Sequence, residues 1–262
     1  MVLDWAADEG WNPGLDDAAA FLAADPQGFF IRRVQGQPVA AISVVNHSDA
    51  FAFLGLYIVA PAFRGQGHGM AVWRAGLAHA GARCVGLDGV PAQQANYARS
   101  GFGAAGRTTR YRGTLARATG TGTGMFADPA TVRQADAQAT GVRRDRFAAH
   151  WFADTPTRRT VTLRGAEGTG AFATIRRCRE GAKIGPFHAQ SEPQARALLD
   201  ALAATLPAGP VFIDLPDPAD HFAAMLEGMG FVPVFETARM YCGPAPIAQP
   251  PAFYASATLE LG

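Results

Sequence analysis

Arg64-Gly65-Gln66-Gly67-His68-Gly69 is the stretch of this sequence whose residue types and spacing read most directly as chemistry. Glycines at alternate positions let successive backbone N–H groups crowd around a ligand. A helix starting directly behind them adds partial positive charge at its mouth. Arg64 contributes a full charge, so the cradle suits a phosphate or pyrophosphate. Two familiar phosphate loops are excluded. A P-loop needs Gly-Lys-Ser/Thr, and no Lys or Ser/Thr follows Gly67 or Gly69. A dinucleotide fingerprint needs a third glycine where Met70 and Val72 stand. Taken alone, the six residues leave open a strand-to-helix turn that binds nothing.

The elements that would hold this loop can be read on either side of it. Phe51 to Val59 is apolar, rich in aromatic and β-branched residues and uncharged, and it reads as a buried strand. Met70 to Ala80 reads as a helix with Met70, Trp73 and Leu77 on one face, closed by Gly81. Arg83 to Gly89 reads as the next strand, Pro91 to Ser100 as a helix, and Gly101-Phe102 as its cap and the start of another strand.

The run R-x-x-G-x-G after a strand ending Tyr57-Ile58-Val59, followed by Tyr97 four residues before Gly101-Phe102, resembles the GCN5-related N-acetyltransferase (GNAT) family. The paired motifs, in order and at compatible spacing, are far more specific than either alone. The resemblance implies acetyl-CoA as co-substrate, no metal, and direct transfer of an acetyl group to the amine of a small-molecule acceptor. It implies that the backbone of Tyr57, Ile58 and Val59 holds pantetheine along a splayed strand end. Arg64, Gly65, Gln66, Gly67, His68 and Gly69 take the pyrophosphate. Family members often place an Asn where this chain has Val90, and Gln93, one helical turn before Tyr97, can substitute for it.

Tyr97 matches the family's proton donor. A phenol of pKa near 10 can protonate a thiolate whose own value is about 8.5. A primary amine of pKa about 10.4 is protonated at neutral pH and needs a base. Asp88 is the first candidate, ahead of His47, Asp49 and Glu9. Glu9, Trp11 and Asn12 stand where the family brings its acceptor loop over the cleft, and His188 and Arg176 would join them if the two halves face each other. A protein that binds acyl-CoA as a sensor or scaffold without turnover is the competing reading.

At 262 residues and 48% apolar content the chain can form two domains with a real core, and a formal charge of +1 points to neither nucleic acid nor an anionic membrane surface. No uncharged apolar run approaches the roughly 18 residues of a spanning helix, and no secretory leader is evident. A cytoplasmic monomer or homodimer is expected. Cys84, Cys178 and Cys242 lack metal-ligand spacing and suggest no disulfide framework.

Along the chain, a short helix, a turn at Gly10 to Gly14 and a second helix from Asp16 to Ala24, with Asp16 or Asp17 as its cap, precede strands at Phe29 to Gln35, Pro38 to Val45 and Phe51 to Val59. The family's opening strand has no counterpart, which would leave Phe29 to Gln35 as an unpaired edge. Gly/Thr-rich residues 117–125 read as a linker between domains at 1–116 and 126–262. The second half repeats the grammar of the first. Strands fall at 158–164, 170–179 and 211–215; a helix follows Ser191-Glu192-Pro193-Gln194, and another begins near Asp217-Pro218 and closes at Gly230-Phe231. Ile184 to Ala189 stands opposite the glycine loop and Leu226 opposite Tyr97, so this half reads as a GNAT-type lobe that no longer binds CoA. Its strings also resemble the C-terminal domain of two-domain bacterial GNAT proteins of the YitH/HolE type. The expected fold is mixed α/β: tandem GNAT folds, each a mostly antiparallel sheet flanked by helices.

Overall fold

The computed structural model describes residues 1–116, 125–126, 129–165, 168–205 and 209–262. The first half runs α1 (Val2–Asp8), α2 (Asp17–Ala24), β1 (Phe29–Val34), β2 (Gln37–Asn46), β3 (Phe51–Val59), α3 (His68–Ala80), β4 (Cys84–Gly89), α4 (Gln94–Arg99) and β5 (Gly103–Thr114). The second runs β6 (Met125–Phe126), α5 (Pro129–Thr140), α6 (Asp145–Trp151), β7 (Arg158–Gly165), β8 (Gly168–Arg177), β9 (Ala182–Ala189), α7 (Glu192–Ala203), β10 (Pro210–Pro216), α8 (Asp220–Gly228), β11 (Val232–Cys242) and β12 (Phe253–Ala255). Of the linker expected over 117–125, only Met125 lies within the described residues, and it opens β6.

Apolar alternation and tight turns produce the meander β1-β2-β3. Gln35 and Gly36, both at positive φ (48° and 81°), form a two-residue hairpin turn whose twist matches its strands. β1 is the edge strand, and it presents exposed Arg32 and Arg33, charges that discourage pairing with another chain.

The strands of both halves form one continuous sheet in the order β1-β2-β3-β4-β11-β5-β10-β9-β8-β7-β6, with β12 paired to β9. The halves exchange strands. β11, from the second half, lies antiparallel between β4 and β5, and β5, from the first, lies antiparallel between β11 and β10. β5 is therefore not simply the last strand of a first unit, as the sequence suggested.

The three larger apolar clusters among the described residues follow from this layout. Ile42, Val44, Leu54, Trp73, Leu87 and Phe102 pack between the first half's sheet and α3. Here the sequence-based face is corrected. α3 buries Gly69, Val72, Trp73, Gly76 and Ala80, whereas Met70 is 47% exposed. Phe187, Leu198, Leu199, Ile213, Phe222 and Leu226 form the second half's core. Between the halves, Phe21, Leu56, Ile58, Phe147, Trp151 and Leu261 make a third.

Ile184 to Ala189, read from sequence as the counterpart of the glycine loop, is instead the buried interior of β9. Only Gln190 and Ser191 separate that strand from α7, so the second half has no comparable loop. β9 pairs in parallel with β10 only over Ala182–Ile184. Where β10 departs, Phe253–Ala255 of β12 pairs with Phe187–Ala189 and fills the gap.

Charged side chains pin the halves together. Asp17, expected only to cap α2, is fully buried and receives the Gly14 N–H at 2.8 Å, Arg158 at 2.9 Å and Arg176 at 3.2 Å. Both guanidiniums lie against the Trp151 ring, 4.5 and 4.6 Å from its centroid. Burial opposes the Asp17 charge, but Arg176 and Arg158 outweigh it and hold the carboxyl below its ordinary range. His188, expected to reach the cleft with Arg176, is stacked on Phe172 at 4.3 Å, so neither does so.

Removing one partner of such a buried cluster strands the others. Asp17→Ala should lower unfolding free energy by about 3–5 kcal/mol in urea titrations, against less than about 0.5 for the exposed Asp49→Ala. Burial pushes His47 and His188 down to about 4 from 6.5. The unfolded chain therefore takes up protons first as pH falls. Stability should be complete above about pH 6.5 and decline toward pH 4, with His188→Phe flattening the slope in pH-dependent melting.

Candidate functional site

The site begins where two strands stop pairing. β3 and β4 run parallel from Phe51↔Cys84 to Leu54↔Leu87 and then separate. On the other side of β3, the register against β2 shifts between Ala41↔Ile58 and Ser43↔Gly55. The bulge contains Leu56 at φ 47°, a left-handed conformation rare for a side chain of this size, and it bends the strand away from β4. Tyr57, Ile58 and Val59 lie beyond the bend, with Asp88, Gly89 and Val90 across the opening.

The glycine loop closes the wide end. Gly65 and Gly67 sit at φ 75° and 80°, with open space where a Cβ would stand, as a backbone cradle requires. Gly69 serves a different purpose. A Cβ there would lie 2.6 Å from the Tyr57 hydroxyl and 2.9 Å from Val59 Cγ2, so its small size lets α3 press against β3. Arg64 donates to the Val59 carbonyl (3.0 Å) and to Glu9, while Gln66 donates back to the Ala62 carbonyl (3.0 Å). His68 packs edge-on to Phe63.

An outer groove is lined by Glu9, Trp11, Ile58, Val59, His68 and the loop glycines. A smaller inner cavity lies beside it. Trp11, Tyr57, Val90 and Gln93 line both, so the two adjoin. Tyr97 faces the inner cavity, its ring stacked on Trp73 with centroids 5.6 Å apart. A Cβ on Gly89 would lie 3.0 Å from that ring, so the end of β4 must be bare. Burial, then the neighbouring Tyr57, pushes the Tyr97 phenol well above its ordinary value and keeps it protonated.

One wall of the inner cavity comes from the second half. β11 supplies Phe235 and Thr237, and the run after β12 supplies Leu259 and Glu260. A Cβ on Gly55 would lie 2.0 Å from the Glu260 carbonyl oxygen, so only glycine at the start of the bulge admits this run.

Residues 2–102 match the model described as acetyltransferase (GNAT) family, and residues 132–255 match that of an acetyltransferase (GNAT) domain. A holothin acyltransferase from Pseudoalteromonas sp. is 34% identical over 267 residues, covering 100% of this chain and 90% of the relative. The chain belongs to the GNAT family. It thereby belongs with acyltransferases, a family that generally uses acyl-CoA. The tandem GNAT fold recurs in a solved tandem GNAT protein from the clavulanic acid biosynthesis pathway (TM-score 0.61, 18% identity, 87% of this chain and 88% of that one). It recurs in a crystal structure from Pyrococcus horikoshii (TM-score 0.78, 21% identity, 94% and 84%).

Within this GNAT cleft the expected residues are unevenly gathered. Tyr57, Ile58, Val59, Arg64, Gly65, Gly67, His68, Gly69, Gln93 and Tyr97 line one or both cavities. Gln66 does not appear among the lining residues. Trp11 stands over the junction, its carbonyl receiving Lys183 (2.7 Å) and Arg110 (3.1 Å). Asn12 is not a cleft residue: its amide is spent on the main chain of Glu180 at 2.8 and 3.1 Å. Glu9 lies at the outer groove, paired with Arg64, rather than at the acceptor end.

The candidate bases are each engaged or distant. Asp88 lines the inner cavity, but its carboxylate is fully buried and accepts two hydrogen bonds from Arg239, at 2.8 and 2.7 Å, across the β4–β11 pairing. Burial pushes its carboxyl up, with Arg239 opposing. Its place is that of a clamp between the halves. His47 is bound to the Leu261 carbonyl at 2.9 Å, and Asp49 is fully exposed. Phe235, Thr237 and Glu260 went unrecognised in sequence because nothing local ties the end of the chain to residues 54–97.

Gly67→Val tests the cradle. It forces a branched side chain into a left-handed position and fills the space beneath the ligand. Isothermal titration should show CoA binding weakened at least about tenfold, with a stability loss of only about 1–2 kcal/mol.

Proposed function

We propose that this protein is an acetyl-CoA-dependent N-acetyltransferase that acylates a small-molecule amine by direct attack in a ternary complex, in the cytoplasm where acyl-CoA is available. The observation that carries this reading is the opening between β3 and β4, where the groove at Gly65 and Gly67 and the pocket at Tyr97 share Trp11, Tyr57, Val90 and Gln93 as walls. The relative named as a holothin acyltransferase supports a small-molecule acceptor.

In this reading the pantetheine lies beside Tyr57 to Val59 and adds main-chain hydrogen bonds where β4 has turned away. Its pyrophosphate rests on the N–H groups of Gly65 to Gly69, and Arg64 leaves Glu9, an exposed and therefore weak pairing, to meet it. The thioester then points into the inner cavity. A strand amide polarises its carbonyl as the amine attacks, and Tyr97 hands a proton to the departing sulfur. The burial that raises the phenol also disfavours a bare thiolate, so the transfer remains matched. The second half acts as a lobe that shapes the acceptor cavity without holding CoA. β12 pairs where a second pantetheine would lie.

Release of free thiol from acetyl-CoA across a panel of primary amines tests this. Tyr97→Phe should lower kcat by about 10²- to 10³-fold with little change in the KM for acetyl-CoA. Tight CoA binding with no amine-dependent release in the wild type would make the protein a non-catalytic acyl-CoA sensor instead.

A further inference from the structure

We propose that Glu260, carried into the first lobe's cleft by the run that follows β12, is the group that takes the proton from the acceptor amine. The inference rests on the acyltransferase reading above and supplies the base that reading lacks.

Three observations converge on this residue. The first is position. Glu260 lines the inner cavity together with Tyr97, and its main chain lies against Gly55, the residue that follows the last β3–β4 pair and precedes the bulge. That is the apex of the opening, where an acceptor must meet a thioester lying along the splay. The second is availability. Two carboxylates line this cavity. Asp88 has both oxygens engaged by Arg239, whereas Glu260 forms no ion pair among the described residues. Its Oε2 receives only the Thr258 hydroxyl, and its backbone N–H returns to the Thr258 Oγ1 at 3.3 Å, so a short turn fixes the side chain. The third is surroundings. Glu260 is 3% exposed, yet its charge bears on Lys183 and Arg110, both buried nearby. Arg110 is already committed to Asp214 at 2.6 and 2.9 Å, and Lys183 to the Trp11 carbonyl, so neither caps Glu260 directly. A carboxylate that lines the cavity without a direct cationic partner is left open to a substrate amine.

The protons balance as follows. Glu260 accepts one from the ammonium and returns it to water through the cleft. The neutral amine attacks, the C–N bond forms and the C–S bond breaks. Tyr97 gives its proton to the sulfur and recovers one from the acylated nitrogen. The products are the amide, the free thiol and one proton in solution.

Steady-state kinetics with acetyl-CoA and two probe amines tests the assignment: a primary alkylamine, protonated at pH 7, and an arylamine, neutral there. For Glu260→Gln, kcat/KM with the alkylamine should fall about 100-fold at pH 7, and the deficit should shrink as pH rises toward the amine's own pKa. With the arylamine the fall should be less than about threefold, and the KM for acetyl-CoA should hold. Glu260→Asp, which keeps the carboxylate, should retain the wild-type shape of the pH profile at a reduced rate, and it decides the matter if the Gln variant fails to fold. An active wild type whose Gln variant keeps the same pH profile, or loses both amines equally, overturns the assignment of Glu260 alone. A wild type that binds acetyl-CoA and acylates neither amine overturns the transferase reading and the assignment with it.

Discussion

The exchange of β5 and β11 is the constraint on which the rest of this molecule depends. A sheet can grow continuously through two repeated halves only if each half's exposed edge is satisfied, and here each half satisfies the other's. Because β11 lies against β4, residues from position 235 onward form a wall of a cleft whose floor comes from positions 54–97. The inner cavity thus belongs to neither half by itself. The pairing also brings Arg239 opposite Asp88, so a cross-strand register becomes a two-point ionic clamp.

The seam between the halves is more charged than a protein core of this apolar composition requires. Asp17 with Arg158 and Arg176, Asp88 with Arg239, Asp136 with Arg144 and Asp214 with Arg110 are all largely or wholly buried. Pairs of this kind add little net stability over a well-packed apolar substitute, because desolvation consumes most of the attraction. Their contribution here is geometric. A guanidinium with two fixed carboxylate contacts tolerates one register and one docking angle, and that holds the walls of the cavity in place.

The legible part of this structure was the part encoded locally. Alternation in Phe51–Val59, the glycine loop, the Tyr97 helix and the closing Gly-Phe pairs lie within windows of ten or twenty residues, and each appears where the sequence put it, with ends displaced by a few residues. The face of α3 differs at Met70, because apolar spacing gives no weight to Gly69 and Gly76, whose small size lets the helix approach β2 and β3. Ile184–Ala189 reads as the counterpart of the glycine loop because a glycine and a proline punctuate it, although tertiary burial holds it extended. The second half's contribution to the inner cavity could not be read at all. Asp88 was chosen by proximity in sequence to the splay, whereas Phe235 and Glu260 arrive through pairings that span most of the chain.

The second half resolves the same parting of strands by another means. Between β9 and β10 the unsatisfied edge is met by β12, a piece of the polypeptide itself, and the chain then continues past Ser256, whose N–H reaches the Asp214 carbonyl, toward Gly55. An extended peptide and an extended cofactor offer a strand edge much the same ladder of donors and acceptors. A duplicated groove can therefore become an anchoring slot. Here the edge of β9 anchors Phe253–Ala255, and that anchor aims the residues after it at the groove of the first half.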